Sequence, residues 1–374
     1  MVGSVADVRP LASMLRCLSF RDLAVVKMDA LGLRFTVEEG RGLQAHAYVN
    51  ASAFSSYSFS LSPDDKSAMI EPDSGASPPG SPSSSPAPDK TFCQVSISLR
   101  TLLECLNIFG NAGLLGGAGN PFKRERREEG SDEDESSGRN RRRMGRDAAE
   151  VEDHTKERTS LRISYKGMGE PLILLLEESG IVTRCELTTY EPDGLLSLPF
   201  PAEDQLVRLI MKSEWLRDAL HELPPSSERL TISFAPPHLV HHAGTNRYKR
   251  RRRDSPSSGE DLGGDEDEGE EVPLFRLEST GTLGSTEMDY SDDKDVLEIF
   301  ECQEPTRNTY KFSHIQLTKN ALNASIKTSI RTAVSGLVSF QFMIPLSTRG
   351  ARASVQEDKI GFVEFSCIAL DEAY

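Results

Sequence analysis

An apolar stripe typical of a short amphipathic helix occurs four times along the chain, and strand-like segments follow it each time. In the first copy, Leu11–Leu18, apolar side chains recur at spacings of three and four residues, which places them on one helix face. Runs such as LGLRFTVEE and LQAHAYVN follow and are typical of strands. The other copies are Leu99–Leu106, Leu216–Leu223 and, more weakly, Thr318–Ala324. This repetition predicts a duplicated α+β domain with antiparallel sheets.

Three segments interrupt this pattern and differ sharply from it in composition. Ser62–Lys90 is rich in Ser and Pro, and Lys123–Arg158 alternates blocks of like charge. Asn246–Glu271 joins a basic run to the acidic stretch GEDLGGDEDEGEE. Segments with so few large apolar residues cannot offset the entropy cost of ordering. We therefore expect three disordered insertions within otherwise folded sequence.

The chain divides at a proline-containing segment between the second and third helix copies. We expect one domain in residues 1–190, a connector in 191–200 and a second domain in 201–374. A flexible linker would be rich in Gly and Ser, whereas this connector carries four large apolar side chains. Two interpretations remain open, docking against its own domains and binding a partner. The apolar residues concerned are Leu195, Leu196, Leu198 and Phe200.

Composition and motifs exclude several classes of protein. The sequence contains no G-x-S-x-G, Walker or H-E-x-x-H motif, so we predict no catalytic residues and no cofactor. The histidines at 238, 241 and 242 lack nearby Cys or carboxylate partners, so we predict no metal site. Six widely spaced cysteines and the absence of a long apolar run favour a protein without disulfides or membrane insertion. A net charge of −15 requires any DNA contact to come from a local basic surface.

Several segments together resemble one known family. SLRTLLECLNIFG (Ser98–Gly110), YKGMGEPLILLLEESGIVTRC (Tyr165–Cys185), IMKSEWLRDALHEL (Ile210–Leu223) and the C-terminal SIKTSIRT and GFVEFSC are similar to the Rad-one family. Rad-one is a subunit of the nine-one-one (Rad-nine, Rad-one, Hus-one) DNA-damage checkpoint clamp. The resemblance implies the DNA-clamp (PCNA-like) fold, with two tandem domains that each place two lining helices over antiparallel sheets. Three different subunits would close a ring around duplex DNA.

The same resemblance implies a non-enzymatic function in the nucleus. A clamp loader would place the ring on DNA, where it recruits a checkpoint kinase and repair enzymes. The implied partners are a Rad-nine-like subunit, a Hus-one-like subunit, the loader and double-stranded DNA bound without sequence specificity, with no membrane.

Three alternatives were weighed against this interpretation. A 3'-5' DNA exonuclease would need clustered carboxylates, whereas Asp22, Asp29 and Glu38 are scattered along the sequence. A PCNA-type homotrimer would need two complementary edges on one chain. An acidic histone-binding protein would explain only the acidic insertion.

The resemblance also assigns candidate residues to the implied surfaces. We expect the strand segments Ile181–Tyr190 and Phe275–Ser279 to form sheet edges that meet neighbouring subunits. The alternative to DNA contact is that the basic residues of the four helices lie on an ordinary solvated helix face. The candidate DNA-binding residues are Arg9, Arg16, Arg100, Lys212, Arg217 and Lys319.

The insertions carry candidate regulatory signals. A basic run suits a nuclear import receptor, although a solvated charge block has equal weight; Arg139–Arg146 is a second such run. The import candidates are Lys249, Arg250, Arg251, Arg252 and Arg253. Nearby serines are candidates for phosphorylation, and such sites also occur by chance in Ser-rich segments. These serines are Ser255, Ser257 and Ser258.

Overall fold

A computed structural model describes residues 1–60, 92–110, 112, 158–200, 202–238, 273–282, 284–290, 292–345 and 360–370. The three predicted insertions lie outside these residues, apart from Arg158 at the end of the second. None of the helices in this part of the chain has the length and apolar character needed to cross a bilayer.

The predicted helical stripes form helices that bury their apolar face. Three helices match the first three copies, and the fourth copy is preceded by one further short helix. In the first helix Leu15 and Leu18 are fully buried, and each such side chain contributes about 2 kcal/mol to stability. The helices are α1 (Arg9–Cys17), α2 (Leu99–Leu106), α3 (Ser213–Glu222), α4 (Phe312–Gln316) and α5 (Lys319–Ala324).

Strands make up about half of the described chain. Neighbouring strands within each sheet pair in antiparallel fashion. Their bounds are β1 Val2–Val5, β2 Leu23–Asp29, β3 Gly32–Glu39, β4 Leu43–Asn50, β5 Ser56–Ser58, β6 Cys93–Ser98, β7 Ser160–Ser164, β8 Leu172–Glu178, β9 Ile181–Leu187, β10 Thr189–Tyr190, β11 Gln205–Lys212, β12 Ser227–Phe234, β13 Phe275–Gly281, β14 Gly284–Tyr290, β15 Leu297–Cys302, β16 Thr306–Lys311, β17 Lys327–Ala333, β18 Val338–Pro345 and β19 Ile360–Cys367.

The strands form three sheets of ten, five and four strands. The largest has the order β10-β6-β2-β3-β4-β19-β18-β17-β11-β15. The five-stranded sheet has the order β5-β1-β7-β8-β9, and the four-stranded sheet β14-β13-β12-β16. Strand β4 pairs with β19, so the largest sheet joins the N-terminal and C-terminal halves. The α+β class with antiparallel sheets is confirmed.

One predicted edge strand is wrong. Residues Phe275–Ser279 belong to β13, which pairs with β12 on one side and with β14 on the other. The edge is β14, a polar strand (GSTEMDY) that lacks the apolar alternation used to recognise strands. The segment Ile181–Tyr190 contains β9, which pairs only with β8 among the described strands and does form an edge.

A polar network lies across the seam between β4 and β19, on the sheet face opposite the helices. The Glu364 carboxylate accepts hydrogen bonds from Arg331 (2.7 Å), Ser339 Oγ (2.6 Å) and the Tyr48 hydroxyl (3.2 Å). His46 lies beside it and bonds Thr36 through Nδ1 at 3.0 Å. Burial, together with the nearby Arg34 guanidinium, lowers the pKa of His46 to about 4, against the opposing effect of Glu364. The seam therefore holds a neutral imidazole at pH 7.

We expect the free energy of unfolding to fall as the pH drops below about 6.5, where an unfolded histidine begins to bind a proton. His46 takes up that proton in the folded chain only near pH 4. Its contribution is therefore complete above pH 6.5 and is lost between there and 4, about 3 kcal/mol in all. Urea unfolding at pH 7 and pH 5 measures the loss. The variant His46→Gln should show a weaker pH dependence over this range, and an equal dependence would contradict the assignment.

Candidate functional site

Four of the five described helices form a continuous layer over one face of the ten-stranded sheet, whereas α4 packs on β12 and β16. Helix α1 contacts both α2 and α5, and α5 contacts α3, which gives the spatial order α2-α1-α5-α3. The layer packs on β2 and β6 at one end and on β11 and β17 at the other. Both halves of the chain therefore contribute helices to one surface.

Three predicted basic residues lie on the solvent side of this helix layer. Arg100 is 75% exposed and pairs with Glu104 at 3.1 Å. Arg217 pairs with the neighbouring Asp218 at 3.1 Å, and Lys319 is exposed at the start of α5. Exposed ion pairs of this kind contribute little to stability. Their guanidinium groups can therefore release the carboxylate and bind a phosphate instead.

Arg16 lies in a cleft between α1 and α2. Its Nη2 donates to the backbone carbonyl of Ala112, and partial burial lowers the pKa of Arg16. The cleft has a volume of about 300 Å³ and collects three guanidinium groups. One of them, Arg21, pairs with Glu39 at 2.6 Å and was missed from the sequence because it follows the helix. The polar lining residues are Arg16, Ser19, Arg21, Asp22, Arg100, Glu104 and Asn107.

Two of the predicted DNA-binding residues do not lie on the solvent side of the helix layer. Arg9 forms an ion pair with Asp7 at 2.6 Å, and its side chain is only 11% exposed. The hydrogen bonds to Asp7 raise the pKa of Arg9. The Asp7 carboxylate already compensates the positive charge of Arg9 in this ion pair. Lys212 belongs to β11, where Val207, Leu209 and Met211 face the core. Strand alternation points Lys212 to the face away from the helices, so it leaves the candidate DNA surface.

The connector is docked against both halves of the chain. The backbone N–H of Leu196 donates to Glu38 Oε2 at 2.9 Å, and its carbonyl accepts from Gln44. The Phe200 ring lies 4.6 Å from the guanidinium carbon of Arg331, a cation-π contact. Leu195 and Leu198 are half-buried. These contacts favour docking, while a partner on the remaining exposed surface stays a prediction.

Two free edge strands differ in chemistry. On β9, Ile181 and Val182 are 61% and 62% exposed, and the single cation Arg184 pairs with Glu186 at 2.5 Å. On β14, Glu287 and Asp289 are about half exposed and share Arg276. Burial, together with the nearby carboxylates of Glu222 and Asp218 on α3, raises the pKa of Tyr290, the last residue of β14, to about 12. The β9 edge is thus largely apolar, and the β14 edge is acidic.

The remaining sequence predictions fall outside the described residues. These are the import candidates Lys249–Arg253 and Arg139–Arg146, the serines Ser255, Ser257 and Ser258, and the histidines at 241 and 242. The carboxylates weighed for a nuclease have structural contacts instead. Asp29 accepts the N–H groups of Leu31 and Gly32 in the β2-β3 turn, and Glu38 holds the connector.

A helix layer backed by large antiparallel sheets with free edges defines a subunit of the PCNA-like DNA-clamp class. The chain belongs to the family described as Repair protein Rad1/Rec1/Rad17, which matches residues 1–344. Cell cycle checkpoint protein RAD1 of Homo sapiens is 27% identical over 372 residues, covering all of this chain and 92% of the human protein.

Two further relatives differ in their descriptions, one as an exonuclease and the other as a checkpoint control protein. DNA repair exonuclease REC1 of Mycosarcoma maydis is 27% identical, over 99% of this chain and 96% of that protein. DNA damage checkpoint control protein rad1 of Schizosaccharomyces pombe is 26% identical, over 97% of this chain and 84% of that protein. The resemblance inferred from sequence segments is confirmed at the level of the family and its fold.

Proposed function

We propose that this chain is a non-enzymatic subunit of a heterotrimeric checkpoint clamp that encircles duplex DNA in the nucleus. Two tandem clamp domains, residues 1–190 and 201–374, present their helices to the DNA, and the connector 191–200 runs between them. Retention is topological, so contacts reach phosphates and carry no base specificity. The observation that carries the proposal is the single helix surface, together with two edge strands of unlike chemistry, β9 and β14.

The unlike edges support a ring of different subunits. In a closed homotrimer, β9 of one copy would pair with β14 of the next. The exposed Ile181 and Val182 would then lie beside the carboxylates of β14. Arg184, the one cation of β9, is already paired with Glu186. The β14 carboxylates share a single cation, Arg276. Burying that excess of negative charge beside β9 is costly, so we infer that a Rad-nine-like and a Hus-one-like subunit take the two edges.

The remaining partners follow from the same proposal. Because the chain carries no nucleotide-binding motif, ATP belongs to the clamp loader. The loaded ring recruits a checkpoint kinase and repair enzymes, some of them at the connector through Leu195, Leu196, Leu198 and Phe200. The basic run Lys249–Arg253 serves nuclear import, and phosphorylation of Ser255, Ser257 or Ser258 regulates it.

An exonuclease is the second candidate function, because one relative is described as a DNA repair exonuclease. Of the three carboxylates named for that role, Asp29 holds a turn, Glu38 holds the connector and Asp22 lies in the arginine-lined cleft, so they do not face a common site. We therefore favour the clamp. A 3'-labelled duplex incubated with the complex and Mg²⁺ should keep its full length under the clamp proposal, and progressive shortening would favour the nuclease.

The single tryptophan of the chain provides a direct test of the DNA-facing surface. Trp215 lies on α3 and is 40% exposed. In the complex with both partner subunits, we expect duplex DNA to reduce acrylamide quenching of its emission, because the bound duplex covers the helix layer. The isolated chain with the same DNA is the control and should show little change. Unchanged quenching in the complex would contradict DNA binding at this surface.

A further inference from the structure

A shallow cavity lies on the outer face of the ten-stranded sheet, opposite the helix layer. It is formed where β11, β17, β18 and β19 adjoin and has a volume of about 320 Å³. Cationic and apolar side chains alternate around it. The residues that matter here are Arg208, Ile210, Lys327, Arg331, Met343 and Phe362.

Like charges face each other across the β11-β17 strand pair. Arg208 lies directly opposite Arg331, and Lys212 lies directly opposite Lys327. Such pairs destabilise an antiparallel sheet. Both pairs lie on an exposed face of an otherwise acidic protein. An anionic ligand bound there would reduce the repulsion between the paired cations.

Carboxylates of the chain compensate this repulsion only in part. Glu298 approaches Lys327 at 2.6 Å, but Glu301 lies 3.9 Å from Arg208 and both of those side chains are exposed. Glu364 is shared between Arg331 and the seam network. Lys212 forms no ion pair within the described part of the chain. Cationic groups therefore remain available at the cavity rim.

The floor of the cavity is apolar and partly open to solvent. Phe362 is 42% exposed and lies opposite Met343 across the β18-β19 pair. Ile210 adjoins Ile299 of β15, which is 40% exposed. An apolar floor with a few charged groups at its rim is typical of sites that hold one anchoring side chain and orient it by polar contacts.

We propose that this cavity docks an acidic peptide segment of a partner protein. One apolar side chain of the segment packs on Phe362, Met343 and Ile210, while its carboxylates contact Arg208, Lys212 and Lys327. A nucleic acid fits less well, because Ile210, Met343 and Phe362 present apolar surface that a phosphate backbone cannot match. The site lies on the face opposite the DNA-facing helices, so it goes beyond the proposed function and can operate while DNA is bound.

The test uses the full chain and a fluorescein-labelled decapeptide with a central Phe-Leu pair flanked by acidic residues. Fluorescence polarisation should show binding that is lost when Asn and Gln replace the acidic residues, or when Ala replaces the Phe-Leu pair. An oligo-dT of ten nucleotides should compete poorly. Equal binding of the neutral peptide, no binding of the acidic one, or strong competition by oligo-dT would overturn the proposal.

Variants locate the binding to the cavity. We expect Arg208→Glu with Lys327→Glu to weaken binding at least about tenfold, since both charge contacts become repulsive. Each new carboxylate gains a cation across the strand pair but stands beside Glu301 or Glu298, and urea unfolding checks that the variant is folded under the conditions of the assay. Phe362→Ala should weaken binding without removing a charge.

The matched control applies the same charge change to another sheet. Arg162→Glu with Lys166→Glu alters two exposed residues of β7 and the turn that follows it, and it should bind the peptide as the parent does. An equal loss in this control would show attraction by overall charge and would overturn the assignment to the cavity. This result would leave the clamp proposal intact, because the DNA-facing helices are unchanged.

Discussion

We expect the Val182→Asp variant to lose one of its two partner subunits and to keep the other. Val182 is 62% exposed on the free edge strand β9, so the isolated chain should fold normally. In the assembled ring the new carboxylate would be buried against the neighbouring strand without a partner. This costs about 3 kcal/mol, which weakens that interface about a hundredfold. Light scattering of the variant mixed with each partner separately should show a two-chain complex with one partner and no complex with the other.

The control for this prediction is Leu31→Asp. Leu31 is 78% exposed, in the turn between β2 and β3, and lies away from both free edges. This variant should form a two-chain complex with each partner. Binding of both partners by the Val182→Asp variant at the same concentrations would show that β9 does not meet a partner.

Charge reversal on the helix layer should have the second large effect. We expect the complex carrying Arg100→Glu, Arg217→Glu and Arg16→Gln to assemble normally but to slide off linear duplex DNA at modest salt. Each lost phosphate contact lowers the slope of log affinity against log salt by about 0.9, so three contacts lower it by about 2.7. Arg16 is changed to Gln because its side chain is half-buried and donates to Ala112.

Retention on DNA is measured by surface-captured duplex at several salt concentrations. The matched control is Arg162→Glu with Lys166→Glu, which changes two exposed cations away from the helices. This control should keep the parental salt slope. If the helix variant also keeps the parental slope, the helix layer is not the DNA-binding surface.

The helices could be predicted from sequence because burial alone specifies them. Leu11, Leu15 and Leu18 recur at helical spacing and are all buried in α1. Strands with one buried face, such as β3, were predicted for the same reason. Edge strand β14 was not, because its exposed positions carry Glu287 and Asp289 and its other side chains are only partly buried. The edge strand β9 did have a strand signal, because Ile181 and Val182 are apolar.

The candidate site could be predicted only in part, because side-chain direction depends on element boundaries. Lys212 was placed with the helix that follows it, whereas β11 continues to that residue and turns it to the outer face. Arg9 was taken as free, although Asp7 neutralises it. Arg21 was missed because it lies beyond the helix, and only the fold brings it to Arg16 and Arg100. Such contacts are set by packing and leave no periodic signal.

The mass in solution of the full chain, alone and with a Rad-nine-like and a Hus-one-like subunit, tests the central claim most directly. The account predicts a mass near 41.2 kDa for the chain alone and a complex of one copy of each subunit in the mixture. A closed trimer of this chain by itself, or no association with either partner, would contradict it.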